Sequence, residues 1–298
     1  MSYEKIVALA LNLGFQCYEN APLRNRTTFK IGGPADWFIE CRDVTKIGQL
    51  LSLIKQENAP LTVIGKGSNL LVSDNGLRGI VLCICDESIK VSGNSVVASA
   101  GAKLSSVCKV ALENNLSGLE FAFGIPGSVG GAVYMNAGAY GGEIKQVVEL
   151  VTSITREGKI INRSADKLEL GYRTSIFKTN DEIILSAEFK LNYSEKTEIK
   201  VLMDDYLNRR KSKQPLDFPS AGSTFKRPEG HFAGALIEQA GLKGTRIGGA
   251  EVSPKHAGFI VNCGGATCAD VLNLIDLVRE RVYKEFGVLL EPEIKIIK

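Results

Sequence analysis

Apolar positions change their spacing several times along the chain, and each change marks an expected element. Ile6, Leu9, Ala10 and Leu13 recur three and four apart, which is helical spacing, and Gly14 stops the run. From Val44 to Glu57 the same spacing puts Ile47, Leu50, Leu51 and Ile54 on one face, with Asp43 as a candidate N-cap and Pro60 closing the segment. Further helices are expected at Lys103 to Asn115, with Leu104, Val107, Cys108 and Ala111 facing inward, and at Glu195 to Arg210, with Ile199, Leu202, Met203 and Tyr206 as the buried stripe. A short helix is expected around Ala233 to Gln239 and a long one from Cys268 to Phe286. Between them lie strand patterns: two in Thr27 to Cys41, then Leu61 to Ile64, Gly79 to Cys85, Ser95 to Ala100, Val147 to Arg156, Lys159 to Asn162, Ile183 to Leu191, Arg246 to Glu251 and Gly258 to Asn262. The chain closes in a strand broken at Glu291-Pro292-Glu293. Strands and helices do not alternate regularly, so the pattern predicts an α+β protein with a mixed sheet built largely of hairpins.

Two stretches fit neither period. Gly124 to Gly142 places seven glycines in nineteen residues. Glycine inside an element is destabilising by roughly 0.5–1 kcal/mol relative to alanine, so bare backbone must serve something here. Either successive N–H groups approach a phosphate-rich ligand, or chains cross too closely for side chains. Gly65-Lys66-Gly67-Ser68-Asn69 follows a short strand, and Gly32-Gly33 form a further glycine site. Position 70 is Leu70, so the dinucleotide pattern G-x-G-x-x-G is absent, as is G-x-x-x-x-G-K-[ST].

At 298 residues the chain is long enough for two or three domains, and a change of character near Lys211 marks one boundary. Lys plus Arg number 36 against 33 for Asp plus Glu, a net charge of +3, which implies no broad nucleic-acid face. The cysteines, Cys17, Cys41, Cys83, Cys85, Cys108, Cys263 and Cys268, show no zinc spacing and read as buried thiols in a reducing cytoplasm. No metal site is expected. Ile6 to Leu13 is apolar enough to mimic a signal segment, but Glu4 precedes it and Asn12 interrupts it, and no run is long enough to span a membrane.

The segments TTFKIGGPAD, GKGSNLLV, GIPGSVGGAVYMNAGAYG, GYRTSIFK, PSAGSTFK and LEPEI, in this order from about Asn25 onward, are together specific. The chain resembles the UDP-N-acetylenolpyruvoylglucosamine reductase family, in its shorter form without a tyrosine-bearing lid loop. The resemblance implies a two-part FAD-binding module of the vanillyl-alcohol-oxidase type plus a C-terminal α+β substrate domain. The implied division is 1–85 and 86–210 for the flavin subdomains and 211–293 for the substrate domain, with residues 294–298 returning to the first part.

The resemblance also implies roles. FAD would be held by Gly32, Gly33, Gly65, Lys66, Gly67, Ser68 and Asn69, and by Gly124, Ile125, Pro126, Gly127, Ser128, Gly130, Gly131, Asn136, Gly138, Ala139 and Tyr140. Neither the 65–69 loop nor the 124–142 stretch contains His or Cys, so a non-covalent flavin is expected. NADPH would be the co-substrate and a UDP-sugar the substrate, acted on in the cytoplasm by a monomer during cell-wall precursor synthesis. Arg173, in GYRTS, matches the family's arginine at the substrate carboxylate, helped by Glu293, and Ser223 matches its proton donor. Arg210, Lys213 and His256 fall where the family has substrate contacts, although the first two also read as a solvated helix end and the third as a surface histidine. Arg227 stands where many relatives have asparagine. An FAD-linked oxidase, which would have a different third domain without the Ser223 and Glu293 motifs, and a non-catalytic sugar-nucleotide-binding flavoprotein, which would tolerate loss of Arg173 and Ser223, are the alternative readings.

Overall fold

The helices form where one face can be buried, and the computed structural model describes residues 3–298. It divides into two units. The first takes the chain up to Glu19, then Trp37–Lys66 and Gly79–Arg209, and the second takes Asn20–Asp36, Gly67–Arg78 and Arg210–Lys298.

In the first unit, α1 (Glu4–Asn12) buries Ile6, Val7 and Ala10, and α2 (Ile47–Gln56) buries Ile47, Leu50, Leu51 and Ile54. Val7, not Leu9, completes the buried face of α1, because Leu9 is only half-buried. The segment expected to open α2 is a tighter turn, Val44–Lys46, whose Thr45 N–H donates to the Asp43 carboxylate at 3.1 Å. A five-stranded antiparallel sheet follows, in the order Ile160–Ser164, Val148–Ile154, Ile183–Lys190, Ser95–Ser99, Ile89–Ser92. On it pack α3 (Leu104–Glu113) and the six-residue α4 (Val129–Tyr134). Strand Leu61–Ile64 pairs parallel to Leu77–Ile84.

The helix α5 (Lys196–Lys213) buries Ile199 and Met203, while Leu202 is 42% exposed, so the expected four-residue stripe narrows. Such a helix has only one face to bury, and Leu202 stands one position off the Ile199-Met203 line.

The second unit has its own core. α7 (Cys268–Phe286) packs on a three-stranded antiparallel sheet, Arg246–Ile247, Ala250–Val252 and Ile260–Asn262, and α6 (Ala233–Gln239) packs on α7. α7 is fixed at both ends, by the Thr267 and Asp270 capping box and by Gly287 at φ +69°. Val271, Leu274, Ile275, Val278 and Val282 repeat at helical spacing and are all buried. Phe29, Ile31 and Leu71, from far earlier in the chain, join this core. Strand Lys295–Ile297 pairs parallel to Leu70–Val72, Lys295 against Leu70. The Asp74 carboxylate accepts the Cys268 and Ala269 N–H groups at 2.7 and 3.1 Å, neutralising the positive end of α7.

All seven cysteines are free thiols; Cys41, Cys83, Cys108 and Cys268 are buried and Cys17, Cys85 and Cys263 half-buried. Among the described residues no helix is long and apolar enough to cross a membrane.

Candidate active site

The glycine-rich stretch folds as a loop, a short helix and a hairpin. Gly124, Ile125, Pro126 and Gly127 lead into α4, with Leu104 N–H donating to the Gly127 carbonyl at 3.2 Å. After α4 the chain turns at Asn136, then pairs Gly138–Ala139 with Gly142–Glu143. The two residues at that hairpin's tip, Tyr140 and Gly141, lie at φ +54° and +87°, as in a type I′ turn. A tyrosine in this left-handed region is uncommon, and its ring stacks on Tyr206 of α5 with centroids 4.8 Å apart and planes 5° from parallel.

The glycines separate into two kinds. A Cβ on Gly130 would lie 2.9 Å from Ala100 Cβ, one on Gly138 would lie 2.7 Å from Glu143 Cγ, and one on Gly142 would lie 2.4 Å from Phe121 Cγ. Close packing of the protein on itself accounts for these three. Gly131 and Gly141 differ: a Cβ on the first would meet only Ser128 Oγ at 3.6 Å, and on the second nothing within 4 Å. Of the two alternatives left open by the sequence, close crossing of chains explains Gly130, Gly138 and Gly142 but does not explain Gly131.

Asn136 is fully buried and satisfied by protein partners. Its Nδ2 donates to Glu143 Oε2 at 3.0 Å and to the Gly171 carbonyl at 2.9 Å, and its Oδ1 accepts the Lys145 N–H at 2.9 Å. Ser175 Oγ donates to the Tyr134 carbonyl at 2.8 Å. These bonds fasten GYRTS to the glycine stretch. Gly171 and Thr174 close a tight turn on each other, which leaves Arg173 at φ +53°. Its Nη2 donates to the Gly138 carbonyl at 3.3 Å, and its guanidinium carbon lies 5.3 Å from the Tyr172 ring centre. Asn136, Tyr140 and Arg173 thus gather three left-handed non-glycine residues in one place, where strain of roughly 1–3 kcal/mol each must be offset by surrounding contacts.

The 65–69 loop spans the point at which the chain passes from the first unit to the second. In the first unit, a Cβ on Gly65 would fall 2.5 Å from Ser128 Oγ, so this loop touches the start of α4. Lys66 Nζ pairs with Glu87 at 2.6 Å, and that ammonium holds the Glu87 carboxyl below its ordinary range. In the second unit, Gly67 sits at φ +64° with no room for a Cβ beside the Arg26 carbonyl. Gly32 and Gly33 likewise meet Val72 and the Asp74 carbonyl, at 2.8 and 2.2 Å from their would-be Cβ atoms, so crossing backbones require them. Ser68 is half-buried beside Asn69.

Asn69 leads to the C-terminal segment. Its Nδ2 donates to the Glu293 carbonyl at 3.2 Å, and its own carbonyl accepts the Lys295 N–H at 2.9 Å. Glu293 N–H in turn donates to the Thr224 carbonyl at 2.8 Å, which sets the backbone of Ser223-Thr224 beside that of Glu293. Ser223 and Glu293 are both half-buried. The second unit therefore brings together two of the three expected catalytic residues, while Arg173 belongs to the first.

Arg210 is half-buried and Lys213 exposed at the end of α5. Lys255 Nζ donates to the Lys211 carbonyl at 2.7 Å, tying that end to the SPKHAG segment. His256 Nδ1 accepts the Gly258 N–H at 3.1 Å, and its ring packs edge-on to Phe259 at 5.0 Å. Burial holds its pKa below the ordinary imidazole value, so the ring is neutral at neutral pH. Arg227 lies over the Phe232 ring, 4.0 Å from its centre.

Residues 35–164 match the family model of the FAD binding domain, and residues 214–297 match that of the UDP-N-acetylenolpyruvoylglucosamine reductase C-terminal domain. The UDP-N-acetylenolpyruvoylglucosamine reductase of Clostridium novyi is 50% identical over 279 residues, covering 93% of this chain and 91% of that protein. The chain belongs to the UDP-N-acetylenolpyruvoylglucosamine reductase family. The Clostridium botulinum reductase is 51% identical over 277 residues, 93% of this chain and 90% of that one. The crystal structure of the Thermus caldophilus reductase superposes with a TM-score of 0.81 at 34% identity, covering 95% of this chain and 99% of that chain.

Within this reductase family member, both matched domains hold expected site residues: the glycine stretch and Gly65 in the first, Ser223, His256 and Glu293 in the second. Arg173, Arg210 and Lys213 lie between the two matched ranges. The residues present suit FAD. Gly131 is exposed and a Cβ on it would make only an ordinary contact with Ser128 Oγ, the first turn of α4 has no acidic residue, and Lys66, paired with Glu87, stands next to Gly65. Sequence reasoning missed Tyr206 as a partner of Tyr140, and Ser175 as a tie to α4; no periodicity signals either, because each bond joins residues far apart in the chain.

Proposed function

We propose that this reductase holds FAD without a covalent tether and uses NADPH to reduce UDP-N-acetylglucosamine enolpyruvate to UDP-N-acetylmuramate, in the cytoplasm and as a monomer, for peptidoglycan precursors. When bound, FAD would supply a hydride carrier between NADPH and the vinyl carbon. Negative charge then develops on the carbon bearing the ether and spreads into the carboxylate. Arg173 offers a fixed cation to that carboxylate, Glu293 assists it, and the Ser223 hydroxyl gives its proton to the carbon, to be restored from water. Gly65 and Gly131 present backbone to the flavin phosphates, with Lys66 supplying charge. Asn136, whose side chain is fully committed to protein partners, acts by positioning the GYRTS turn. Arg210, Lys213 and His256 would face the sugar nucleotide, His256 as a neutral hydrogen-bonding ring. The substrate domain would begin near residue 211.

The observation that carries this reading is the Arg173 turn, a left-handed arginine held by hydrogen bonds against the glycine stretch of an FAD-binding domain member. Anaerobic mixing tests it: NADPH should bleach the flavin absorbance, and the enolpyruvyl substrate should restore it. Bleaching that only oxygen reverses would overturn the assignment in favour of an oxidase. Acid precipitation should leave FAD in the supernatant, and yellow colour in the washed pellet would exclude a non-covalent flavin.

A further inference from the structure

Cys83 and Cys85 are two apart on the strand Leu77–Ile84 and its continuation, so their side chains share one face. Their sulfur atoms lie 3.5 Å apart. Cys83 is buried and its thiol reaches the Gly65 carbonyl at 3.7 Å and the Ile84 carbonyl at 3.8 Å, while Cys85 is half-buried. Other thiols are engaged elsewhere: Cys41 with the Asp43 carbonyl at 3.5 Å, Cys108 with the Leu119 carbonyl at 3.2 Å and Cys263 with Glu251 Oε2 at 3.2 Å. The reductase reaction uses neither Cys83 nor Cys85.

We propose that Cys83 and Cys85 form a dithiol modification site, which a peroxide closes to an intrachain disulfide. The Cys85 thiolate attacks one oxygen of hydrogen peroxide, the O–O bond breaks, and the departing hydroxide takes a proton to become water, leaving a sulfenic acid on Cys85. The Cys83 sulfur then attacks the Cys85 sulfur, the S–O bond breaks, and a second water leaves with the remaining thiol proton. Two thiols are oxidised and one peroxide is reduced to two waters.

The division of roles follows from the surroundings. Contact with Cys83 holds the Cys85 thiol below its ordinary value, with Lys66 and Arg42 acting in the same direction and burial and Glu40 against it. The same sulfur contact, and burial after it, push the Cys83 thiol up, and Cys85 is half-buried where Cys83 is buried, so peroxide reaches Cys85 first and Cys85 is the nucleophile. Closure brings the sulfurs from 3.5 Å to about 2.05 Å, and Cys85 lies just past the last strand residue, with its N–H donating to the Cys41 carbonyl at 2.7 Å. It also changes the contact of the Cys83 sulfur with the Gly65 carbonyl, so the modification lies beside the 65–69 loop.

The test treats the FAD-loaded protein with hydrogen peroxide, alkylates the remaining thiols, and weighs the peptide that contains both cysteines. The expected product lacks two hydrogens, carries no alkyl group, and regains both alkylation sites after dithiothreitol. Phenylarsine oxide, which bridges paired thiols, should bind this peptide in the untreated protein with one arsenic per two sulfurs, and Cys85→Ser should abolish that binding. Alkylation of both sulfurs after peroxide, or a sulfinic acid on Cys85 with Cys83 still alkylatable, would overturn the proposal. Since the mass is read on the unsubstituted protein, the outcome does not depend on how well Cys85→Ser folds.

Discussion

Two adjacent glycines of α4, Gly130 and Gly131, should respond in opposite ways to the same added methyl group. Each gains roughly 0.5–1 kcal/mol from replacing glycine by alanine in a helix, because the unfolded chain loses freedom. Gly131→Ala keeps that gain, since its Cβ meets only Ser128 Oγ at an ordinary 3.6 Å. Gly130→Ala forces its Cβ within 2.9 Å of Ala100 Cβ, and overpacking of this kind typically destabilises by about 1–3 kcal/mol. Ala100 cannot easily withdraw, because its carbonyl accepts the Gly130 N–H at 2.9 Å and its N–H donates to the Leu185 carbonyl at 2.7 Å. The two variants should therefore differ by about 1–3 kcal/mol, with Gly131→Ala the more stable. Urea unfolding of flavin-free protein, followed by the fluorescence of Trp37, the single tryptophan and a first-unit residue, measures this. Binding should show the reverse order of interest: Gly131→Ala, though stable, should weaken FAD affinity by about tenfold, or 1.4 kcal/mol, if phosphate approaches that backbone. Equal urea midpoints would refute the packing argument. Unchanged FAD affinity in Gly131→Ala would refute the proposed cradle at that residue.

Ser223→Ala should leave FAD content unchanged and slow only the substrate half-reaction, by about 10²–10⁴, with stopped-flow reduction by NADPH as the control; equal slowing of both halves would make Ser223 a positioning residue. Asn136→Leu strips three hydrogen bonds from a fully buried site, and at about 1 kcal/mol net for each a loss of roughly 3 kcal/mol is expected in urea, and an unshifted midpoint would contradict it. The Glu182 carboxyl is held below its ordinary range, first by Arg163 and then by Ser153 Oγ, against opposing burial. A depressed native pKa stabilises above the unfolded value of about 4.3 and fades as pH falls below it, so Glu182→Gln should flatten the acid limb of the stability curve, and parallel limbs would disprove the coupling.

What could be read from the chain alone was whatever a single element decides for itself. α7 carries its cap, its apolar repeat and its terminal glycine within its own residues, and its observed bounds are those the periodicity predicts. α2 is similar, apart from its first turn. The short α4 was hidden because glycines outweigh apolar spacing over so few residues. The reasons for Gly130 and Gly142 were hidden too, since Ala100 and Phe121 are the atoms that exclude a Cβ and local pattern does not name them. Arg173 illustrates the divide most clearly. Its motif marked it, but its left-handed backbone depends on the Gly171–Thr174 turn and on Asn136, a partner thirty-five residues distant from Gly171.

The second unit is assembled from three separate pieces of chain, and this sets a schedule for biosynthesis. Phe29, Ile31 and Leu71 leave the ribosome early, but their core partners Leu236, Ile237, Leu274, Ile275 and Val278 follow more than 150 residues later, at the ribosome's pace of about 5–20 residues per second. Strand Leu70–Val72 waits for the last residues made, because its parallel neighbour is Lys295–Ile297. During that interval a nascent chain exposes apolar side chains and an unpaired strand edge, the features that recruit holdase chaperones and invite aggregation. A release of translation before residue 295 would leave that edge permanently open, whatever the state of the first unit.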